Sequence, residues 1–240
     1  MANHKTVIVT GGSQGIGAAI VQAFLDRGYD VVATSRKISG AGFALSPHLA
    51  LVDGDISQAE TAAKIAKAAM EKFGSIDHVV NDAGIYRSKA FTDYTVDDFR
   101  AFVSTNLEGF ILITQTAVRQ MLAQGTGGSV TTITASLADN PIAGTPASVA
   151  MMTKGGLNAI TLSLANEYAK DKIRFNAVAP GVVDTPLHKP GPENVLQPRS
   201  AMGTVSDPKD IAEAVIYLTE ASHVTGEVLH VDDGAHVGRW

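Results

Sequence analysis

The chain has 240 residues, of which 45% are hydrophobic and 18% are charged, and its formal net charge at pH 7 is −5. This length supplies one large domain, and the mild negative charge gives no basic surface for nucleic acid. The absence of cysteine excludes disulfides, thiolate chemistry and Cys-based zinc sites. The apolar run Val7–Val9 is too short for a signal peptide, and the longest uncharged stretch is rich in polar residues. We therefore expect a soluble cytoplasmic protein that acts on neither nucleic acid nor membrane.

Short β-branched runs alternate with longer helix-like runs along the chain. In chain order the pattern predicts strand 5–10, helix 15–27, strands 30–35 and 49–53, helix 58–73, strand 77–81, helix 96–122, strand 128–133, helix 148–170, strand 172–178, helix 207–220 and strand 227–231. Nearly continuous apolar strands separated by helices are typical of a parallel sheet covered on both faces. The sequence therefore predicts an α/β fold: one doubly wound, Rossmann-type parallel sheet flanked by helices on both faces, over residues 1–240.

One segment departs from this alternation. Residues 184–208 are rich in proline and show little periodicity. A long irregular segment in a compact domain is often a lid or a binding loop, so we predict a substrate loop here. A surface excursion without function is the alternative.

A glycine-rich segment, Thr10–Gly17, lies between the first predicted strand and the first predicted helix. Glycine permits a tight turn there and lets backbone N–H groups approach a pyrophosphate, which the positive end of the helix dipole favours. A glycine turn without a ligand is the alternative, but the position at the start of a βαβ unit favours a dinucleotide. The predicted cofactor-binding residues of this turn are Gly11, Ser13, Gln14, Gly15, Ile16 and Gly17.

The end of the second strand indicates which dinucleotide binds. An acidic residue there would select NAD through the ribose 2′-hydroxyl, whereas this chain has Thr34–Lys37, two hydroxyls followed by two cations. Arg can bind a 2′-phosphate through two parallel hydrogen bonds. We therefore predict NADP as the cofactor, with NAD possible, and assign Ser35 and Arg36 to its binding. A solvated basic turn is the alternative reading.

Further motifs follow at matching positions. Asp55-Ile56 comes after the third strand, Asn81–Gly84 after the fourth, and Pro180–Thr185 after the sixth. Together with the glycine turn, they resemble the classical short-chain dehydrogenase/reductase family over essentially the whole chain, with Asp82 in place of the second Asn of the family's Asn-Asn-Ala-Gly. The resemblance implies a nicotinamide-dependent oxidoreductase. It also assigns cofactor binding to Asp55, Ile56, Asn81, Ala83, Gly84, Lys154, Pro180, Gly181, Val183 and Thr185.

The resemblance further implies three catalytic residues. Ser136 matches the Ser that orients the substrate, Lys154 the Lys of Tyr-x-x-x-Lys, and Asn106 the Asn that anchors a proton-relay water. The catalytic Tyr should lie four residues before the Lys, one helical turn away on the same face. That position holds Ala150. The general acid of the family is therefore missing.

Loss of a positioned general acid typically slows a reaction by about 10²–10⁴-fold. Alanine is also expected to leave a space of about phenol size beside the nicotinamide. Three explanations are open: an engineered inactivation, a natural enzyme with a different acid, or a natural cofactor-binding protein that has given up catalysis. The unusual neighbours Met151 and Met152 argue against a single engineered change.

Three groups are candidates for a replacement acid. Tyr86 follows Gly84 at the mouth of the implied site, His188 lies in the predicted substrate loop, and Lys154 could act through a bridging water. The expected function is an NADP(H)-preferring oxidoreductase that interconverts a small carbonyl compound and its alcohol with atypical proton delivery. The alternatives are a non-catalytic NADP-binding scaffold or sensor, and an inactivated variant of an ordinary family member.

Two expectations remain from the C-terminal end of the sequence. Asp232, Asp233, His230 and His236 form no recognisable metal motif, so no metal is expected. The last segment resembles the family's final strand and tail, which often pack against a neighbouring subunit. A homotetramer or homodimer with a small-molecule substrate is therefore implied by the resemblance.

Overall fold

The computed structural model describes residues 4–186 and 200–237. In chain order its strands and α-helices are β1 (Thr6–Thr10), α1 (Gly15–Asp26), β2 (Asp30–Ser35), β3 (Leu49–Asp53), α2 (Ala59–Lys72), β4 (His78–Asn81), α3 (Val96–Phe102), α4 (Gly109–Gln124), β5 (Gly128–Ile133), α5 (Ser148–Glu167), β6 (Ile173–Pro180), α6 (Pro208–Glu220) and β7 (Val228–Val231).

The strands form one seven-stranded sheet in the order β3-β2-β1-β4-β5-β6-β7. Every neighbouring pair is parallel. The chain winds outward from β1 to β3 and then returns to place β4 on the other side of β1. Ligands of open α/β sheets bind at the carboxyl ends of the strands where the winding reverses, which here is the boundary between β1 and β4.

Alternate residues of the strands supply two cores. Val7 and Val9 of β1 face the layer of α1 and α6, where Phe24 and Val215 are fully buried. Ile8, between them, faces the opposite layer of α2, α4 and α5. Because successive side chains of a strand point to opposite faces, both faces of the central strands must be apolar. The predicted doubly wound fold is confirmed.

The predicted helix 96–122 is wrong as a single α-helix. The chain forms α3, then a π-helical segment at Val103–Glu108, and then α4. Periodicity does not distinguish a π-helical turn, because the flanking helices keep the same faces buried. α3 begins with a capping box in which Thr95 and Asp98 exchange hydrogen bonds. Other predicted boundaries differ from the structure by a few residues; α5 ends at Glu167 rather than at 170.

The predicted substrate loop lies mostly outside the described residues, since 187–199 are not described. At its two ends, Val183 and Ser206 form an isolated parallel bridge. The second half ends at Asp207, whose side chain caps α6 in a capping box with Asp210. The described ends of the segment are therefore fixed against the fold, and its role in binding substrate stays a prediction.

Acid stability depends on His78 in the middle of the sheet. His78 is buried on β4, its Nδ1 lies 2.9 Å from Ser129 Oγ, and its Nε2 has no partner among the described residues. Burial, together with smaller effects of the Lys5 and Arg174 charges, lowers the pKa of His78 to about 3. Because the unfolded chain protonates His near pH 6.5, stability is present above that pH and is lost as pH falls toward 3.

We predict that replacing His78 with Leu reduces the loss of stability in acid. Between pH 7.5 and pH 5, the wild type should lose about 2 kcal/mol more unfolding free energy than His78→Leu, because only the wild type must keep a buried imidazole neutral. Urea unfolding at the two pH values measures this difference. His223→Leu, at an exposed position, should behave like the wild type. Equal pH dependence in His78→Leu and the wild type would contradict the prediction.

Candidate active site

A cleft of about 710 Å³ opens at the carboxyl ends of β1, β2, β3 and β4. It lies where the winding of the sheet reverses, as expected for a ligand site in this architecture. Twelve of the predicted cofactor-binding residues line it: Gly11, Ser13, Gln14, Gly15, Ile16, Ser35, Arg36, Asp55, Ile56, Ala83, Gly84 and Thr185. The structure thus gathers into one cleft residues that end or follow five separate strands, since Thr185 comes after β6.

The glycine-rich turn packs against the end of β4 more closely than side chains would allow. Gly11 has φ +73°, and a Cβ atom built on it would lie 2.8 Å from Ala83 N. A Cβ atom on Gly17 would overlap the carbonyl oxygen of Gly11 and lie 2.6 Å from Asp82 Oδ2. Both positions therefore require glycine, one for its backbone conformation and both for the close approach. The cradle fits a dinucleotide pyrophosphate, since its N–H groups stand at the start of α1.

Thr10 holds the two central strand ends together below this turn. Its hydroxyl oxygen accepts hydrogen bonds from Asp82 N and Ala83 N, each at 3.1 Å, and its hydroxyl donates to Val80 O at 3.4 Å. Thr10 is fully buried. These contacts fix the backbone after β4 as part of the cleft floor.

Cations line the cleft beyond β2. Arg36 and Lys37 follow Ser35, and Asp55 faces them from the end of β3. Asp55 accepts hydrogen bonds from the backbone and hydroxyl of Ser57, which lower the pKa of its carboxyl, and Arg36 adds a smaller lowering. The carboxylate is therefore ionised and available to a donor such as an adenine amino group, while Arg36 is placed for an anion.

Asn106 lies on the π-helical segment and is almost fully buried. Its Oδ1 accepts from Ile85 N at 2.9 Å, and its Nδ2 donates to Ile85 O at 3.2 Å and to Thr153 Oγ1 at 3.0 Å. Thr153 in turn donates to Ala150 O at 2.7 Å. The Asn106 side chain thus ties the segment after β4 to α5. π-Helical turns are frequent at functional sites.

Ser136 and Lys154 lie beside this contact. Ser136 begins the 3₁₀ turn Ser136–Ala138 after β5, and α5 packs against that turn. Lys154 on α5 donates from Nζ to Ile133 O at 2.7 Å. A Cβ atom built on Gly84 would lie 3.3 Å from both Lys154 Nζ and Asn106 Oδ1. Asn106 and Lys154 therefore lie next to Gly84 at this end of the cleft, and Ser136 lies on the turn against which α5 packs.

The expected space beside Ala150 is absent. Ala150 is only 1% exposed and belongs to an apolar cluster with Phe102 and Val149. The partly buried side chains packed against this cluster are Ile85, Tyr86, Tyr94 and Met151. Any cavity large enough for a phenol would expose the alanine to a water-sized probe. Apolar side chains have instead closed around the small residue, and the prediction of an open space is wrong.

Asp82 and Lys154 form an electrostatically coupled pair in the cleft floor. Burial raises the pKa of the Asp82 carboxyl to about 7, while the Lys154 ammonium and the Gly17 N–H, which donates to it, act in the opposite direction. Burial lowers the pKa of Lys154 to about 8, and Asp82 opposes that lowering. The two side chains form no ion pair within 4.0 Å. The pair therefore interacts through space and titrates near neutral pH.

Some predicted residues lie behind the cleft surface. Asn81 is buried and donates to Thr114 Oγ1 on α4 at 3.0 Å, so its side chain points away from the cleft. A Cβ atom on Gly181 would lie 2.8 Å from Asp232 Cα, so this glycine allows β7 to approach β6. The predicted cofactor-binding and catalytic residues that do not line the cleft are Gly17, Asn81, Asn106, Ser136, Lys154, Pro180, Gly181 and Val183.

Sequence reasoning missed other residues of the cleft. Lys37, Gly54, Asp82 and Ile85 line it and are chain neighbours of predicted residues, so the motif boundaries could have been widened to include them. Thr105 also lines the cleft. It lies on the π-helical segment, whose course no sequence pattern revealed.

The structure describes the positions of two of the three candidates for a replacement acid. Tyr86 packs against the cluster that contains Ala150, so it lies in the predicted neighbourhood. Lys154 lies at the cleft end, as described above. His188 lies outside the described residues.

Near the C-terminal end, the structure brings together side chains that the sequence left apart. The rings of His230 and His236 stack at 4.4 Å, and His236 Nδ1 lies 2.8 Å from Asp232 Oδ1. Across residues 4–186 and 200–237, no three His, Asp or Glu side chains are grouped to hold a metal ion. The short turn Ala235–Val237 contacts the Ser136–Ala138 turn, so this cluster supports the cleft from behind. In the same ranges no helix is both long and apolar enough to cross a membrane.

Comparison with known proteins shows which proteins this chain is similar to. A family model described as enoyl-(acyl carrier protein) reductase matches residues 11–236. The chain is 35% identical to a 3alpha-hydroxysteroid dehydrogenase of Mediterraneibacter gnavus, over 98% of each protein. It resembles the structure of ElxO with NADP bound at a TM-score of 0.90 and 26% identity, covering 98% of this chain and 100% of that one.

A second similar structure contains bound NADH. The 3-ketoacyl-(acyl-carrier-protein) reductase from Brucella melitensis in complex with NADH has a TM-score of 0.90 and 27% identity, over 97% of this chain and 98% of that one. The class defined by the fold and the cleft is therefore a nicotinamide-dependent oxidoreductase family. The chain belongs to the short-chain dehydrogenase/reductase family, and the predicted resemblance is confirmed.

The packing around Ala150 predicts that tyrosine is poorly tolerated there. We expect Ala150→Tyr to lower the unfolding free energy by about 1–3 kcal/mol, because the phenol must displace packed side chains such as Phe102. Thermal or urea unfolding measures the loss. Ser163→Tyr, at an exposed position of the same helix, should change stability little. Unchanged stability of Ala150→Tyr together with a large gain in carbonyl reduction would show that the phenol site has been kept open.

Proposed function

We propose that the protein is an NADP(H)-preferring oxidoreductase that interconverts a small carbonyl compound and its alcohol by hydride transfer, with atypical proton delivery. The observation that carries this proposal is the approach of Asn106 and Lys154 to Gly84 at one end of the cleft. The family membership supports oxidoreductase chemistry. We further propose a cytoplasmic location.

The cofactor assignment rests on the two ends of the cleft. The glycine turn is shaped for the pyrophosphate, and Arg36 stands beyond β2 where a 2′-phosphate would lie. Asp55 and Ile56 would border the adenine, and Thr185, whose Cγ2 lies 3.3 Å from a Cβ built on Gly15, would close over the phosphates. When bound, the nicotinamide supplies a hydride to the substrate carbon or removes one from it.

The proton that accompanies the hydride must come from a group other than the missing phenol. We assign it to Lys154, acting directly or through one water molecule. A Lys with a pKa near 8 holds a proton at neutral pH and releases it readily, which suits a general acid. Ser136 would orient the carbonyl oxygen toward it. Tyr86 is less suitable, because it packs in an apolar cluster.

This proposal predicts slow turnover of NADPH with some member of a broad carbonyl panel. Lys154→Met and Ser136→Ala should each lower kcat/KM by about 10²-fold or more, while Tyr86→Phe should change it little. Because the acid must be protonated, the reduction rate should fall as pH rises through about 8. Absorbance of NADPH measures turnover, and its binding to each variant is measured in parallel. Loss of turnover in Tyr86→Phe alone would transfer the acid role to Tyr86.

Cofactor preference is tested separately at Arg36. Arg36→Ala should weaken NADPH binding by about 10- to 100-fold and leave NADH binding nearly unchanged, because a charged hydrogen bond to the 2′-phosphate contributes about 1.5–3 kcal/mol. Calorimetry measures both affinities. Lys67→Ala, on the exposed face of α2, serves as the charge-matched control. Equal affinity of the wild type for the two reduced cofactors would contradict the assignment.

One observation favours a second candidate, a non-catalytic NADP-binding scaffold or sensor. Ala150 is buried in an apolar cluster rather than open to a reactant, which supports this candidate. This candidate predicts that NADPH raises the melting temperature without being consumed by any member of the carbonyl panel.

We also propose a homotetramer or homodimer. Large apolar side chains are exposed on two neighbouring helices: Ile111 on α4, and Met152 and Leu162 on α5. Burial of such side chains in a second copy of the chain would remove apolar surface from water.

A further inference from the structure

The carboxyl group of Asp82 lies directly beneath the turn that would hold the cofactor phosphates. Gly17 donates its backbone N–H to this carboxylate, and Asp82 Oδ2 lies 2.6 Å and 2.9 Å from Cβ atoms built on Gly17 and Gly11. The Asp82 backbone is held by Thr10. The carboxyl therefore cannot move away from the turn without breaking a buried contact.

The charges that face Asp82 are few. The turn Gly11–Gly17 contains no titratable side chain, and α5 contributes Lys154 as the charged group that interacts with Asp82. The remaining charged side chains that line the cleft, Arg36, Lys37 and Asp55, follow β2 and β3 toward its other end. Lys154 donates a hydrogen bond to Ile133 O and forms no direct ion pair with the Asp82 carboxylate.

A pyrophosphate placed on this turn would bring negative charge close to a carboxylate that is half-buried in the cleft floor. Like charges held close together favour the neutral form of the acid. We propose that binding of the dinucleotide is accompanied by uptake of one proton at the Asp82 carboxyl, which makes the affinity of the cleft for its cofactor dependent on pH. This inference rests on the proposed function, since it requires that the cleft bind a dinucleotide.

The proton balance has a definite direction. Without ligand, the pKa of Asp82 is about 7, so the carboxyl is mostly ionised above pH 7. The bound phosphates raise that pKa further, and the carboxylate takes a proton from the solvent to become a carboxylic acid. Affinity is therefore greatest where the free protein already carries the proton, and it falls with rising pH above 7 by up to about tenfold per pH unit.

Calorimetry measures the proton directly. NADPH is titrated into the protein at pH 7.5 in two buffers with different enthalpies of ionisation, and the difference in observed heat gives the number of protons taken up. At this pH the 2′-phosphate, with a pKa of about 6, is ionised before and after binding. We expect an uptake of about half a proton or more per site. Clear binding without uptake would overturn the inference and leave the proposed function standing, whereas no binding of NADPH or NADH would overturn both.

Infrared difference spectroscopy identifies the group that takes the proton. In protein labelled with ¹³C at the aspartate carboxyls, NADPH should produce the band of a protonated carboxylic acid. That band should be absent in Asp82→Asn and present in Asp53→Asn, whose exposed carboxylate at the end of β3 binds Ser39 outside the cleft. Asp82→Glu removes the labelled carboxyl but keeps a titratable one, so it serves if Asp82→Asn does not fold. A band that persists in these Asp82 variants, or proton uptake without the band, would assign the proton to another group and overturn the inference.

Discussion

The close approach between the glycine turn and the end of β4 is the constraint on which the cleft depends. The backbone at Gly11 and Gly17 lies against Asp82 and Ala83 at distances that leave no room for a Cβ atom. Thr10 closes the same contact from below by accepting two backbone N–H groups after β4. Because β1 and β4 are neighbours only where the winding of the sheet reverses, this contact exists at a single place in the fold. The anion cradle and the floor beneath it are therefore one unit.

The sequence predicts most of this architecture because the signals are local. Apolar runs such as Thr6–Thr10 mark buried strands, and glycines at the start of α1 mark a close backbone approach. The π-helical segment was not predictable, because its residues carry no sequence signal that separates a π-helical turn from an α-helical one. The surroundings of Ala150 were also hidden. The family resemblance predicts a phenol where the sequence has Ala150, but only the packing shows that Phe102 and its neighbours surround this position.

The hydrogen bonds of Asn106 explain why the site persists without the phenol. Its amide binds Ile85 on one side and Thr153 on the other, and Thr153 returns a hydrogen bond to Ala150 O. This chain of contacts fixes α5 to the cleft through groups other than the side chain at position 150. Lys154, one turn further along α5, is therefore held at the Gly84 end whether or not a tyrosine precedes it. The hydrogen bonds that position α5 at the cleft therefore do not involve the side chain at position 150.

The Asp82 carboxylate affects the protonation of Lys154. An amide at this position would accept the Gly17 N–H equally well and would carry no charge, so structure alone does not require a carboxylate. The carboxylate makes Lys154 easier to protonate, since each charge opposes the effect of burial on the other. In the proposed mechanism Lys154 must carry a proton at neutral pH, and the Asp82 carboxylate favours that protonated form.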